Sequence, residues 1–467
     1  MKNNELYILF LFHTMKKITV YLILFLLSCQ ALVAQVHFAG MMSTKRVGMF
    51  NAAYNPAELT NLTNKVEFNL IGTSFSFGNN KMSISDIRSG KSAQSALFSS
   101  GTPLALDVNV EFLGPSVGYR YKKWGFGILT KAFLKANIVD LDVDLMNSIY
   151  SNALLTLGTF PLSNRYNQRI NSSSWGQVSF AASRKIVDKA NHQLSAGLAL
   201  SLLFPASYAN IGLTKFSGTI KYNLFPPQAN LINTTTKLNL GYTSNFAKSF
   251  ANPSDFTSAI WGEFGGVAVD FGLTYHYLND KKIPLVQAGM SVKNVGSLTY
   301  QAKKINVVDY DVNIPAPTAA KPGFNLFSLA TISSLTQLEG LLISSGYMTK
   351  DDQSNSDVQI KLPTTVQAYV SIRALNRLNL DVNAQYNIRQ GEGNKEITSP
   401  NTISVIPRFQ TKYFEIYSPW TNHEVTGING GLGIRVAGFY LGSGSIITAL
   451  QSNSKQLDVF TGYQIGF

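Results

Sequence analysis

The chain has 467 residues, a formal net charge of +13, 45% hydrophobic residues, 12% aromatic residues and only 14% charged residues. Soluble domains average about 25% charged residues, and the apolar content is too high for disorder. A single cysteine excludes a disulfide scaffold and any zinc site built on several cysteines.

Met15-Lys16-Lys17, the apolar run from Ile18 to Leu27 and the small or polar stretch Ser28-Cys29-Gln30-Ala31 form a basic, apolar and cleavage sequence. That order predicts a secretory signal peptide over residues 1–34, with Met15 the natural initiator and cleavage after Ala34. A rival reading takes Leu26-Leu27-Ser28-Cys29 as a lipobox that acylates Cys29. Removing 1–34 takes three lysines and one glutamate, leaving 433 residues and a charge of about +11. No later run reaches the ~18 apolar residues of a transmembrane helix, so a spanning protein would have to be a closed barrel.

Periodicity supports the barrel. Val267, Val269, Phe271, Leu273, Tyr275 and Tyr277 alternate with Gly266, Ala268, Asp270, Gly272, Thr274 and His276. Leu378 to Ile388 alternates in the same way, and with 363–375 it forms a hairpin through Leu375-Asn376-Arg377. Strands this long exceed the five or six residues of a soluble sheet and match the ~9–11 tilted residues that cross a bilayer. The second face is Gly, Ser, Asn and Gln, which suits a wet or plugged lumen. Tyr and Phe, 50 residues together, recur near strand ends as an aromatic girdle would.

The expected fold is therefore all-β: a transmembrane antiparallel outer-membrane β-barrel of about 14 strands with an N-terminal plug. The strands fall at 66–77, 104–121, 124–137, 175–185, 193–204, 264–277, 285–295, 363–375, 378–389, 402–409, 412–418, 427–436, 439–447 and 457–467. The apolar parity switches at Gly114-Pro115, which requires a bulge. Residues 35–64 form the plug or periplasmic segment and 65–467 the barrel, with long outer loops at 205–263 and 296–362. A hairpin hides in the first loop (Leu238, Leu240, Tyr242). The second carries helically spaced apolar residues from Phe324 to Leu342, either a lid at the mouth or a helix burying its own loop core. The final alternation places Tyr463, Ile465 and Phe467 on one face, like the terminal assembly signal of bacterial outer-membrane barrels.

Candidate lumen residues on the polar face are Asp270, His276, Lys293, Arg373, Asp381 and Arg389, with Asp381 the expected partner of the basic residues. No zincin, nucleophile-elbow, Walker A or C-x-x-C motif occurs. No enzyme, cofactor or metal is expected. The positive charge has no basic tract with interleaved aromatics, so nucleic acid is not an expected partner. Outer-membrane lipid, lipopolysaccharide and the barrel-insertion machinery are.

Tyr54-Asn55-Pro56-Ala57-Glu58-Leu59 resembles the Asn-Pro-Ala entry of FadL-like outer-membrane proteins, in which an N-terminal segment plugs the barrel. Val269 to Leu273, Gly289 to Gly296, Phe439 to Ser443 and Gly462 to Phe467 are similar to stretches of a Bacteroidota outer-membrane family of unknown function near the PorV and PorP/SprF barrels. The FadL-like resemblance implies a channel for apolar or amphipathic small molecules, located in the outer membrane. The PorV-like and PorP-like resemblance implies a non-transporting scaffold or accessory of type IX secretion and gliding, with secretion components as partners. No ligand-binding motif carries over residue by residue.

Overall fold

A computed structural model describes residues 38–99, 101–145, 158–164, 166–224, 227–244, 261–351, 356–388, 393–451 and 454–467. The expected signal segment 1–34 and Arg389 lie outside them.

The wall is one antiparallel sheet closed on itself. It begins with β1 (Val66–Asn79), followed by β2 (Leu104–Leu113) and β3 (Ser116–Tyr121), which share one wall position. The break between them falls at Gly114-Pro115. Asp107, Asn109 and Glu111 are buried before it, Ser116 and Gly118 after it, so the inward parity changes from odd to even as expected. The ring continues through β4 (Trp124–Leu141), β6 (Asn167–Lys189), β7 (His192–Leu224), β9 (Val267–Leu278) and β10 (Pro284–Tyr300). It passes on through β15 (Thr365–Arg373), β16 (Leu378–Asn387) and β17 (Thr402–Gln410). Next come β18 and β19 (Phe414–Tyr417, Trp420–His423), then β20 and β21 (Gly427–Gly430, Leu432–Val436), each pair sharing one position. The last two strands are β22 (Phe439–Ser443) and β23 (Gln456–Gly466), and β23 closes on β1 from Glu67↔Gly466 to Gly78↔Gln456. The ring has 14 positions, and they coincide with the fourteen segments expected from alternation.

The wall is inverted relative to a soluble barrel. Phe126, Ile128, Phe180, Leu198, Leu200, Phe271, Leu273, Ile372, Leu380, Ile403 and Leu441 are exposed on its outside. Ser, Thr, Asn and Gln side chains are buried on its inside. A contiguous apolar belt of this kind is not tolerated in water and is what a hydrocarbon layer requires. At the end carrying the tight turns, Tyr119 stacks on Tyr121 (6.3 Å) and Trp124 on Phe126 (6.0 Å). Lys65, Lys122, Arg184 and Lys412 lie over aromatic rings at the same level. Flat amphipathic rings with cations above them form an interfacial girdle. The protein is an outer-membrane β-barrel.

The stretches 205–263 and 296–362, expected as outer loops, carry strands. β7 runs 33 residues, roughly 100 Å of chain at about 3.3 Å per residue, well beyond a hydrocarbon core of about 30 Å. Its outer half pairs with β5 (Thr159–Ser163) and with β8 (Pro227–Thr243), the hairpin signalled by Leu238, Leu240 and Tyr242. β8 pairs in turn with β11 (Ile305–Ile314) and β12 (Phe324–Asn325); β11 also pairs with β13 (Met348–Lys350), and β14 (Val358–Lys361) pairs with the outer end of β10. Directly paired residues share a face, which puts Asn210, Asn239 and Asp309 on the lumen side and Leu240, Tyr242, Val308 and Tyr310 outside. The apolar run expected as a helix forms a 3-10 turn, Leu326–Thr331, and a helix, Leu335–Ser344. Leu335 and Leu342 pack on that outer face with Leu240, Val308 and Tyr310. Glu339 accepts from Tyr242 Oη (2.6 Å) and Asn306 Nδ2 (3.0 Å). The helix buries its own core against the wall and does not lie over the lumen.

Candidate functional site: a plugged lumen and its cavity

Residues 38–64 lie inside the barrel. They form turns, a helix Met49–Tyr54 and a 3-10 helix Pro56–Asn61. Phe38, Met41, Met49, Phe50, Leu59 and Leu62 are buried with the wall residues Leu113, Leu129, Ile406, Tyr417, Tyr440 and Phe460 in one apolar cluster. An apolar core therefore occupies part of a polar lumen.

Asn55, Pro56 and Ala57 pack directly against the backbone of the wall. Asn55 caps the 3-10 helix by accepting from the Ala57 N–H (3.0 Å). Its amide donates to the wall carbonyls of Leu273 (3.0 Å) and Met290 (3.4 Å). Pro56 at the first helical position costs no hydrogen bond there. The wall has no side chain in the way: a Cβ on Gly197 would stand 2.4 Å from the Ala57 nitrogen, and one on Gly272 would stand 2.0 Å from Asn55 Oδ1. Gly125 and Gly127 make the same room for Leu59.

Glu58, one residue on, is buried and accepts from Tyr369 Oη and from Asn61 Nδ2 (2.9 Å). Burial pushes its carboxyl up to about 7, against the Asn61 hydrogen bond and the Lys45 charge, which pull it down. Burial holds the Lys45 ammonium down at about 8. A raised acid favours the seated plug fully below its unfolded value of 4.5 and loses that contribution as pH rises through about 7. Between about pH 5 and about pH 7.5 the melting temperature of the intact barrel should therefore fall relative to that of Glu58→Gln. Parallel pH profiles of the two proteins in a thermal scan would remove Glu58 as the titrating group.

The basic side chains of the lumen hold the plug. Arg408 donates through Nε to Asp381 (2.8 Å), through Nη1 to Glu415 (3.0 Å) and through Nη2 to the Gly40 carbonyl. Arg435 binds the other oxygen of Glu415 at 2.6 Å. Ser43 and Thr44 of the plug donate to Asp381 (2.8 Å) and Glu415 (2.7 Å). Asp381, expected to partner the basic residues Arg373, Arg389 and Lys293, is instead taken by Arg408, and among the described residues Nε of the half-buried Arg373 has no hydrogen-bond partner. Arg408, Glu415 and Arg435 escaped the sequence reading. Counting back from the turn at 424–426 sets Glu415 opposite Arg435, a signal that was present.

Asp270 and Lys293 do meet, at 3.0 Å. His276 is buried on the same inward face, but among the described residues its Nε2 has no hydrogen-bond partner. Tyr463 and Phe467 are exposed and Ile465 is half-buried, all three on the outward face of the last strand. Val66 and Phe467 exchange backbone hydrogen bonds of 2.9 and 3.0 Å at the seam.

Above the plug lies a cavity of about 120 Å³. Its floor is Phe38, Met42, Ala53 and Tyr54, and its wall carries Glu111, Lys131, Phe133, Lys135, Trp175 and Lys293. Phe133 stacks on Trp175 at 4.8 Å. Lys131 Nζ donates to the Ala53 carbonyl (2.7 Å), as does Lys293. That carbonyl ends the plug helix, where partial negative charge collects. Glu111 accepts from Tyr54 Oη at 3.0 Å. Ser399 and Pro400, on the outer connection between β16 and β17, roof the cavity. The same connection reaches the far wall: Arg169 donates to the Gly393 carbonyl, Tyr208 Oη to the Asn394 carbonyl (2.6 Å) and Asn167 Nδ2 to Asn394 Oδ1 (3.1 Å). The aromatic pair and the roof were not legible as site residues, because each is an isolated departure from the polar inward pattern.

Among the described residues no group of three or more His, Cys, Asp and Glu stands where it could hold a metal ion. Similar solved structures are barrels. A mutant of the monoaromatic hydrocarbon channel TodX is 9% identical over 88% of this chain and 93% of its own, with a TM-score of 0.42. The P. putida toluene transporter TodX is 11% identical over 88% and 92%, with a TM-score of 0.29. A Pseudomonas aeruginosa FadL homologue is 11% identical over 94% and 100%, with a TM-score of 0.32. No curated protein matches the sequence. Residues 56–444, from Pro56 to the outer connection before the last strand, match the family of unknown function DUF5723, and the chain belongs to that family.

Proposed function

We propose that the protein is a plugged outer-membrane channel that admits compact amphipathic small molecules. The observation that carries this reading is the cavity between the plug and the β16–β17 connection, lined by a stacked ring pair with lysines beside it. A solute entering from the outer face reaches it once that connection moves, and leaves once the plug shifts. The FadL-like Asn-Pro-Ala turn supports the same reading. Flux of small amphipathic solutes into liposomes carrying the intact protein tests it. No flux, together with a stable periplasmic partner in a pull-down, would favour instead the secretion scaffold suggested by the PorV-like resemblance.

In this reading the last strand serves assembly. Tyr463, Ile465 and Phe467 present one apolar face beside the β1–β23 seam, and the insertion machinery recognises it. Phe467→Asp should cut the heat-modifiable, folded fraction in the outer membrane several-fold. Gln451→Asp, on the exposed outer connection before β23, should leave it unchanged. Equal folded fractions would show that the terminal face is incidental to assembly.

A further inference from the structure

Charge in the cavity is unevenly matched. Lys293 has Asp270 at 3.0 Å. Lys131 and Lys135 form no ion pair among the described residues: Lys131 donates to the Ala53 carbonyl and Lys135 to Ser399 Oγ at 2.9 Å. Both are buried. Glu111, the carboxylate that lines the cavity with them, accepts from Tyr54 instead. The direct hydrogen bonds of both ammonium groups go to neutral oxygens, with the carboxylates of Asp107, Glu111 and Asp270 acting on them only across space, and an entering carboxylate would meet both through charge-assisted hydrogen bonds.

Shape narrows the ligand further. The two lysines alternate on β4 with Phe133 between them on the same inward face, and Phe133 stacks on Trp175. A cationic pair flanking a flat apolar surface matches a planar acid. An apolar cavity of about 150 Å³ holds benzene; at about 120 Å³ this one admits a single ring only as the Ser399 roof yields, and has no room for a long acyl tail.

We propose that this cavity is a binding site for compact organic carboxylates with a flat apolar body, held by Lys131 and Lys135 against Phe133 and Trp175. The site also has a link to the roof. Lys135 cannot serve both a bound carboxylate and Ser399 equally well, so occupancy weakens one of the contacts that hold the β16–β17 connection across the mouth. The remaining contacts, from Arg169, Asn167 and Tyr208, lie farther out and do not touch the cavity.

The proposal rests on the channel reading for its biological sense, but its test does not. Benzoate, benzyl alcohol and acetate are titrated by calorimetry into the full barrel in a non-ionic detergent. Benzoate should bind saturably, while benzyl alcohol, with the ring but no charge, and acetate, with the charge but no ring, should each bind at least ten-fold more weakly. Lys131→Met and Lys135→Met should each weaken benzoate at least ten-fold, Lys135→Arg should recover part of the loss, and Ser399→Ala should tighten binding a few-fold. Heat-modifiable migration establishes that each variant is folded. Equal benzoate affinity in wild type and the folded lysine variants overturns the site, as does equal affinity for benzoate and benzyl alcohol. Saturable benzoate binding without solute flux would keep the site and refute the channel. Flux without saturable benzoate binding would keep the channel and refute the site.

Discussion

Arg408→Met should destabilise the folded barrel by about 3–5 kcal/mol, the cost of leaving buried carboxylates without their cation. The side chains of Arg408, Asp381 and Glu415 are all 0% exposed, and Arg408 touches both acids. Its loss also frees the Gly40 carbonyl and weakens the seat of Ser43, since its guanidinium binds both. Glu415 keeps Arg435 and Thr44, but Asp381 keeps only Ser43 among these partners. Asp381→Asn in the Arg408→Met background should therefore recover part of the stability, because it removes the orphaned charge. Arg373→Met, at one of the basic residues expected to partner Asp381, should change stability little. The temperature at which each variant loses its compact migration on a gel reports the ranking. Equal shifts for Arg408→Met and Arg373→Met would refute the hub.

That contrast shows where sequence reasoning stops. The fourteen wall positions were legible because each crosses hydrocarbon with an apolar outside and a polar inside, and a period of two survives in strands such as 267–277 and 378–388. Even the break at Gly114-Pro115 announced itself as a change of parity. Partner choice is different. Asp381, Arg373 and Arg408 all occupy inward or near-inward positions on neighbouring strands, and only the cross-strand register sets Asn379 opposite Arg408 and brings Asp381 alongside. The outer strands were hidden for a physical reason too. Beyond the membrane the sheet has no lipid to face, so Leu240, Tyr242 and Val308 are covered by the chain's own helix, and that stretch resembles a loop with apolar residues more than a bilayer strand. Phe133 and Trp175 broke the lumen pattern singly and gave no period at all.

Deleting residues 35–64 should raise ion conductance through single barrels in a planar bilayer by more than ten-fold. Barrel diameter grows with strand number, and 16–18 strands leave an aqueous channel, so a 14-position ring needs something inside it to stay shut. That something is the cluster built on Phe38, Met49, Phe50 and Leu59, and the 3-10 helix lying on Gly125, Gly197 and Gly272. The wall can survive without it, because the β1–β23 seam is made by backbone pairing from residue 66 onward. The deletion also wets Leu113, Ile406, Tyr440 and Phe460, which costs stability. A milder variant separates the two effects. Gly197→Val with Gly272→Val puts side chains where the Pro56–Ala57 backbone and the Asn55 side chain now lie, expelling the 3-10 helix while the rest of the chain stays present. Both variants should conduct if the plug is the barrier. If the intact protein already conducts like an open porin, the plug does not seal it. If both variants stay closed, the barrier is the β16–β17 connection, and its contacts with Arg169, Tyr208 and Lys135 become the gate that a ligand must break.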